Sequence, residues 1–355
     1  MNALLQNATP ITSLQNPKVK EAVLLQEKAR EREKRSLFVA EGVREITAAI
    51  TSGFEVESLF FCPDIITDFP FPIDSRTRLF SLPSNVYAKI AYRSTTEGVT
   101  AIVKSKHLTL EDLTPLLYPN SASNNNATTG RASSNSKSTA DRTSYNKKIS
   151  TENSTIVASQ KCNNPLIIIA EAVEKPGNLG AILRTADAVG ATAVLFCNPK
   201  TDLYNPNLIR ASLGGVFTQK IVCCKTEDAI KWLKANKIKI YSAQLQDSVP
   251  YYGTDMTLPC AIALGSEADG ISTEFRIASD KKIMIPMLGK LDSLNVSVSA
   301  SILCYEALRQ RVAKAQKVAQ PQKVAQAQKN QKAQKIQEVQ KIQEVQKLQK
   351  IQKSK

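Results

Sequence analysis

The chain has little histidine: one residue, His107, in 355. A single imidazole cannot build a histidine metal cluster, and it makes a Ser-His-Asp triad an unpromising reading. The seven cysteines (Cys62, Cys162, Cys197, Cys223, Cys224, Cys260 and Cys304) are scattered, with no Cys-x-x-Cys. That speaks against a zinc ribbon or a disulfide scaffold and fits a reducing cytosol, so no metal and a cytoplasmic location are expected. No apolar run approaches the ~18–20 residues of a membrane helix, and no membrane association is expected. The first residues, MNALLQNATPITSLQNPK, lack the apolar core and small-residue cleavage site of a secretion signal. Neither a G-x-G-x-x-G turn after a strand nor a G-x-x-x-x-G-K-[ST] loop occurs, which leaves dinucleotide-binding and P-loop readings without support.

Positive charge is what the chain has in excess, +15 overall. Basic proteins of this size commonly meet a polyanion, nucleic acid first. The location of the charge tempers the inference. Residues 312–355 carry eleven lysines and two glutamates, hence +9, leaving only +6 for the other 311 residues.

Two segments are of low complexity. Residues 107–163 contain the run SASNNNATTGRASSNSKSTADRTSYNKK, with almost nothing apolar to offset the entropy of ordering it. They read as a linker expected to be disordered. Residues 312–355 form a Gln/Lys repeat with Ile336, Val339, Ile342, Val345, Leu348 and Ile351 three apart. A step of three falls about 60° short of a helical turn, so the apolar stripe would wind around a helix. This tail reads as a solvated, disordered repeat, with an RNA- or partner-binding arm as the other reading.

Between these segments helices and strands alternate, which says α/β. Residues 11–106 read as a smaller α/β domain: helix 18–34, strand 36–42, helix 43–50, strands 56–62 and 79–82, helix 83–90 and strand 99–103. Residues 164–311 read as a second one, with strands at 166–170, 193–197, 219–223, 239–243, 260–264 and 282–285. Helices at 179–189, 207–213, 226–236 and 297–311 separate or follow them. Crossovers of that kind imply a parallel sheet, whose ligands sit beyond the carboxyl ends of the strands.

Three loops at such ends are unusually loaded. In the first, EKPGNLGAILRTA, Gly177 and Gly180 permit a tight turn, Asn178 sits where it could cap the helix, and Arg184 follows six residues on. In the second, LGSEADGI, Glu267 stands at the strand end. The third, IPMLGKLDSLNVSVS, is a long polar connection of the length that usually carries function. Taken alone, each also fits a plain reading: a capped helix with a surface arginine, carboxylates at a helix start, a connecting loop.

Together and in this order, NLGAILRTA, IALGSEADGIS and IPMLGKLDSLNVSVSASI resemble the three motifs of the SpoU (TrmH-like) class of SPOUT RNA 2′-O-ribose methyltransferases. Residues 11–104 resemble that family's RNA substrate-binding domain. Lys175-Pro176 stands where many relatives have Asp-Pro, and Ser299-Ala300 where alanine is more usual. The resemblance implies a trefoil-knotted, parallel-sheet C-terminal domain, a homodimer, and S-adenosyl-L-methionine held near Gly265, Ile285 and Leu294. It implies that Arg184 assists the 2′-hydroxyl, that Asn178 and Glu267 orient Arg184 and the ribose, and that Ser293 and Asn295 shape the cofactor loop and contact substrate. Ribosomal RNA is the expected partner, transfer RNA the second. The alternatives are a non-catalytic RNA-binding protein on the same scaffold and a base-modifying knotted methyltransferase. In the N-terminal domain, the helical stretch 18–35 with Lys18, Lys20, Lys28, Arg30, Arg32, Lys34 and Arg35 is expected to supply RNA affinity.

Overall fold

A computed structural model describes residues 8–93, 95–118 and 164–317. The Ser/Asn/Thr-rich run from 119 to 163 and the repeat beyond 317 lie outside the described residues.

The N-terminal part opens with β1 (Thr9–Pro10) and α1 (Pro17–Glu27), whose start is set by Pro17 at the first helical position and by the Asn16 side chain accepting from the Lys18 amide at 2.8 Å. The helix expected over 18–34 is two helices. Lys28 is extended, and α2 (Ala29–Arg35) begins anew after it. The break lets Arg32 turn inward. β2 (Leu37–Glu41), α3 (Val43–Thr51), β3 (Val56–Phe61), β4 (Arg78–Ser81), α4 (Ser84–Ile90) and β5 (Val99–Lys104) follow. The sheet runs β1-β4-β3-β5-β2, with β5 antiparallel to both its neighbours.

The second sheet is parallel throughout its named strands. Its strands are β6 (Leu166–Glu171), β7 (Ala193–Cys197), β8 (Ile221–Cys224), β9 (Lys239–Ala243), β10 (Val249–Pro250), β11 (Cys260–Leu264) and β12 (Lys281–Met284), ordered β10-β12-β9-β11-β6-β7-β8. β6, β7 and β11 are buried along their whole length, which is why they read as unbroken apolar runs rather than alternating ones.

Residues 107–163 differ from the linker reading at their start. α5 (Leu110–Leu117) packs Leu110, Leu113 and Leu117 into the second domain's core beside Trp232, whose indole donates to Thr114 Oγ1 at 3.1 Å. Leu108 bridges to Val222. The tail reading also shifts, because the last helix runs over 296–317 rather than stopping at 311.

The remaining helices of the second domain are α6 (Pro176–Val189), α7 (Pro206–Ser212), α8 (Gly215–Thr218), α9 (Thr226–Ala235) and α10 (Thr273–Ala278), with the 296–317 helix as α11. Gly214 is left-handed and Gly215 starts α8. α6 and α7 pack so closely that a Cβ on Gly180 would stand 2.5 Å from that of Ala211.

The two domains dock through an aromatic and ionic seam. Phe38 stacks on Tyr204 with centroids 4.2 Å apart, and Phe54 and Phe217 close the cluster. The Tyr204 hydroxyl donates to the Lys106 carbonyl at 2.5 Å, and burial pushes its pKa up to about 12. Arg32, 5% exposed, forks onto Asp202 at 2.7 and 3.0 Å and donates to the carbonyls of Leu25 and Gln26. One of the seven cations expected to serve RNA is thus a structural bolt. Lys18 and Arg35 are also committed, to Glu21 and to Glu21 and Glu31 respectively. Lys20, Lys28, Arg30 and Lys34 remain exposed.

Candidate active site

Because the second sheet is parallel, the carboxyl ends of its strands share one edge, and the loops that follow β9, β11 and β12 meet there. They line a cavity of about 630 Å³. Its wall includes Gln244–Gln246 after β9, the 264–271 loop after β11, and Ile285, Met287 and residues 292–296 after β12.

The β11 loop is a closed turn. Ser266 and Gly270 exchange backbone hydrogen bonds at 3.1 Å, and the Asp269 amide donates to Ser266 Oγ at 3.0 Å. Gly265 is required by contact: a Cβ there would lie 2.0 Å from the Gly270 carbonyl. The turn holds Glu267 outward, where it accepts from Asn178 Nδ2. Asn178 Oδ1 in turn accepts from Asn295 Nδ2 at 3.2 Å. Asn295 Oδ1 receives the amide and hydroxyl of Ser297, at 3.0 and 2.6 Å, at the start of α11. Side chains from three segments spread over 117 residues of sequence are joined in one short chain of hydrogen bonds.

That placement changes the role read for Asn178. Pro176 at the first turn starts α6 at Lys175, so Asn178 lies inside the helix and its amide is free to bridge Glu267 and Asn295 instead of capping. Gly265, Glu267, Ile285, Ser293, Leu294 and Asn295 all line the cavity. The Ser293 hydroxyl contacts Asp292 at 3.4 Å. Arg184 is not brought into the network. It is exposed on α6 and, among the described residues, makes no hydrogen bond or ion pair. Its neighbour Thr185 instead ties α6 to α11 by a hydroxyl contact with Ser301 at 2.8 Å.

Gln244–Gln246 and Arg276 also line the cavity and were not singled out from the sequence. Nothing local marks them. Gln244–Gln246 reach the site because β9 lies between β11 and β12, an adjacency that crosses sequence order, and Arg276 reaches it from α10, directly after the β11 turn. Among the described residues no helix is long and apolar enough to cross a membrane.

Residues 165–305 match the SpoU rRNA Methylase family, and residues 16–101 match the MRM3-like substrate binding domain. Over 139 residues the chain is 33% identical to the 23S rRNA (guanosine(2553)-2′-O)-methyltransferase of Bacillus subtilis, covering 39% of this chain and 56% of that one. Over 149 residues it is 38% identical to the tRNA (guanosine(18)-2′-O)-methyltransferase of Thermus thermophilus, covering 41% and 76%. The chain therefore spans little more than half the length of the Bacillus relative. A solved RNA 2′-O ribose methyltransferase superposes with a TM-score of 0.61 at 29% identity, over 86% of this chain and all of that one. The three loops that converge on the cavity all fall inside the matched segment, and on these grounds the chain belongs to the SpoU rRNA methylase family.

Proposed function

We propose that this chain transfers a methyl group from S-adenosyl-L-methionine to a ribose 2′-hydroxyl in structured RNA, ribosomal RNA first and transfer RNA second. The observation that carries the proposal is the Glu267–Asn178–Asn295 chain beside the cavity, joining the three motif loops. The relatives are named for 2′-O-methylation of both RNA classes. The described cavity fits the cofactor. About 630 Å³ lies within the ~300–1,000 Å³ usual for small-molecule sites. Leu264, Ile283, Ile285 and Leu294 offer an apolar wall for a base, and Glu267, Asp269 and Asp292 set carboxylates around a cationic ligand.

When bound, the cofactor supplies a methyl already activated by its sulfonium. The protein's part is to align a very weakly acidic hydroxyl with that methyl and to receive its proton. Asn178 is fixed at both ends of its amide, so it holds Glu267 and the Asn295 loop in register, and Ser293 and Asn295 face the substrate side of the cavity. Arg184 stands about 9 Å along α6 from Asn178, six residues at 1.5 Å each. Exposed and unpaired among the described residues, it is suited to a bidentate grip on an RNA phosphate, and its position outside the network favours that role over proton abstraction.

The working unit is a homodimer, supported by large apolar side chains left exposed near the site: Leu288, Leu291, Val298 and Tyr305. It acts in the cytoplasm, in keeping with thiols such as Cys197 and Cys224, which lie 4.0 Å apart without a disulfide. The test is to map 2′-O-methylated riboses in total RNA from cells with and without the gene. Purified chain should then restore the missing methylation using S-adenosylmethionine. Identical maps, together with no transfer in vitro, would sink the proposal.

A further inference from the structure

Among the described residues the cavity wall is acidic, with Glu267, Asp269 and Asp292, and Arg276 is the one basic side chain in it. α10 is short, but its backbone turn is closed at Arg276 and the side chain is pinned at Nε. The Ser272 carbonyl accepts its amide at 3.0 Å, and the Ile271 carbonyl accepts its Nε at 3.0 Å. The helix start is anchored in turn. The Ser272 amide donates to the buried Glu171 carboxylate at 2.8 Å, and Phe275 is fully buried beside it. The guanidinium lies along the closed β11 turn, with Nη2 3.8 Å from where a Cβ on Gly270 would stand. With Nε bonded, its terminal Nη groups have no hydrogen-bond or ion-pair partner among the described residues. A half-buried guanidinium pinned at one edge, with its fork open to a cavity, is preorganised to receive an anion.

The ligand proposed above carries one anionic group, the carboxylate of its methionyl part, together with a cationic ammonium and sulfonium. Glu267, Asp269 and Asp292 favour the cations and repel the carboxylate. We infer that Arg276 binds the α-carboxylate of the cofactor and so fixes which way the methionyl arm lies in the cavity. This rests on the cofactor reading above.

The test uses calorimetry on the whole purified chain with four probes: S-adenosylmethionine, S-adenosylhomocysteine, decarboxylated S-adenosylmethionine and 5′-methylthioadenosine. The third lacks only the carboxylate, and the fourth lacks the whole amino-acid arm. Wild type should prefer S-adenosylmethionine to its decarboxylated form by about tenfold to a hundredfold, the scale of one hydrogen bond to a charged group. Arg276→Gln should abolish that preference while binding methylthioadenosine as wild type does, and Arg276→Lys should keep part of it. An Arg276→Gln chain that still discriminates against the decarboxylated form overturns the inference. So does equal loss for all four probes, since Arg276 would then only hold the turn. Wild type that binds none of the four refutes the cofactor reading itself, a different failure from the other two.

Discussion

In the N-terminal sheet β5 runs antiparallel to β2 and β3, whereas every pairing in the second sheet is parallel. In the first only β5 is reversed, so the carboxyl ends of β1, β2, β3 and β4 still share an edge and strand direction alone does not set the two sheets apart. The second sends all carboxyl ends to one edge, where loops distant in sequence close a cavity. Polar groups bridge segments in both domains: in the first, Glu41 accepts from the Tyr92 amide and Glu45 from Arg93, each keeping its other oxygen buried without a hydrogen-bond partner, and at the second sheet's edge Asn178 joins Glu267 to Asn295. On the proposed function, RNA recognition falls to the first domain and chemistry to the second.

The assignment breaks most visibly at Arg184. Arg184→Ala should cut single-turnover methylation by roughly 10²-fold or more while cofactor affinity and folding stay near wild type. A surface arginine with no such role would change stability by about 0.5 kcal/mol at most. Arg184→Lys should not restore full rate, because an ammonium lacks the planar fork. Near-wild-type turnover in the alanine variant would place the chemistry elsewhere on the edge.

At the seam the effect is on stability. Arg32→Ala removes a fork from Asp202 and two donors from backbone carbonyls, leaving an unpaired, partly exposed carboxylate. A loss of about 3 kcal/mol is expected in denaturant unfolding, at the low end of the ~3–5 kcal/mol for broken buried pairs because Asp202 is 29% exposed. A change under about 0.5 kcal/mol would mean the domains do not depend on this pair.

How far these roles were legible differs between the two sheets and within the site. Strands β7 and β11 stand where their apolar runs and flanking turns put them, because both faces of a central parallel strand are buried and the run is unbroken. The strand end bearing Glu267 was legible for the same reason, whereas Gly265 and Asn295 were singled out only through the resemblance to the SpoU motifs. α5 was not. Its eight residues include Pro115 and adjoin a low-complexity run, although a Thr109–Asp112 capping box was present to mark its start. Nor was the inward turn of Arg32, since a charge pattern on a helix does not reveal an acid 170 residues away. Gln244–Gln246 needed strand order, which the alternation of elements leaves open, and Arg276 needed the fold of the β11 turn onto which its Nε bonds.

The recognition half of the comparison sharpens through salt. Only Lys20, Lys28, Arg30 and Lys34 of the basic set along residues 18–35 are both exposed and outside the ion pairs described above. Replacing these four with glutamine should lower the slope of log affinity against log salt by up to about 0.9 for each duplex phosphate that a side chain no longer neutralises. Replacing Lys18 and Arg35 instead should change the slope less, since each is already neutralised by a glutamate. An unchanged slope in the fourfold variant would move the RNA-binding face off these helices.

The smallest effect concerns the buried carboxyls of the N-terminal domain. Glu41 ends β2; its Oε2 accepts from the Tyr92 amide at 2.8 Å, and its Oε1 is buried without a hydrogen-bond partner. Burial raises its pKa above the ordinary 4.5, against the lowering pull of the Tyr92 amide and of Thr96 and Arg93. The folded state therefore holds this proton more tightly than the unfolded chain. The stabilisation is fully present below about pH 4.5 and is lost as pH rises through the folded value, so this group alone makes stability fall with pH. Depressed acids such as Asp112 and Asp280 act in the opposite sense, which is why the difference between two chains is the useful readout. Glu41→Gln keeps an acceptor for Tyr92 and removes the titration. Unfolding free energies measured at intervals from about pH 4 to 7 should show the variant gaining on wild type as pH rises, with the gain levelling off once the wild-type carboxyl is ionised. A constant offset between the two curves would mean that Glu41 is not a buried acid with a raised pKa but is relieved by a partner in solution.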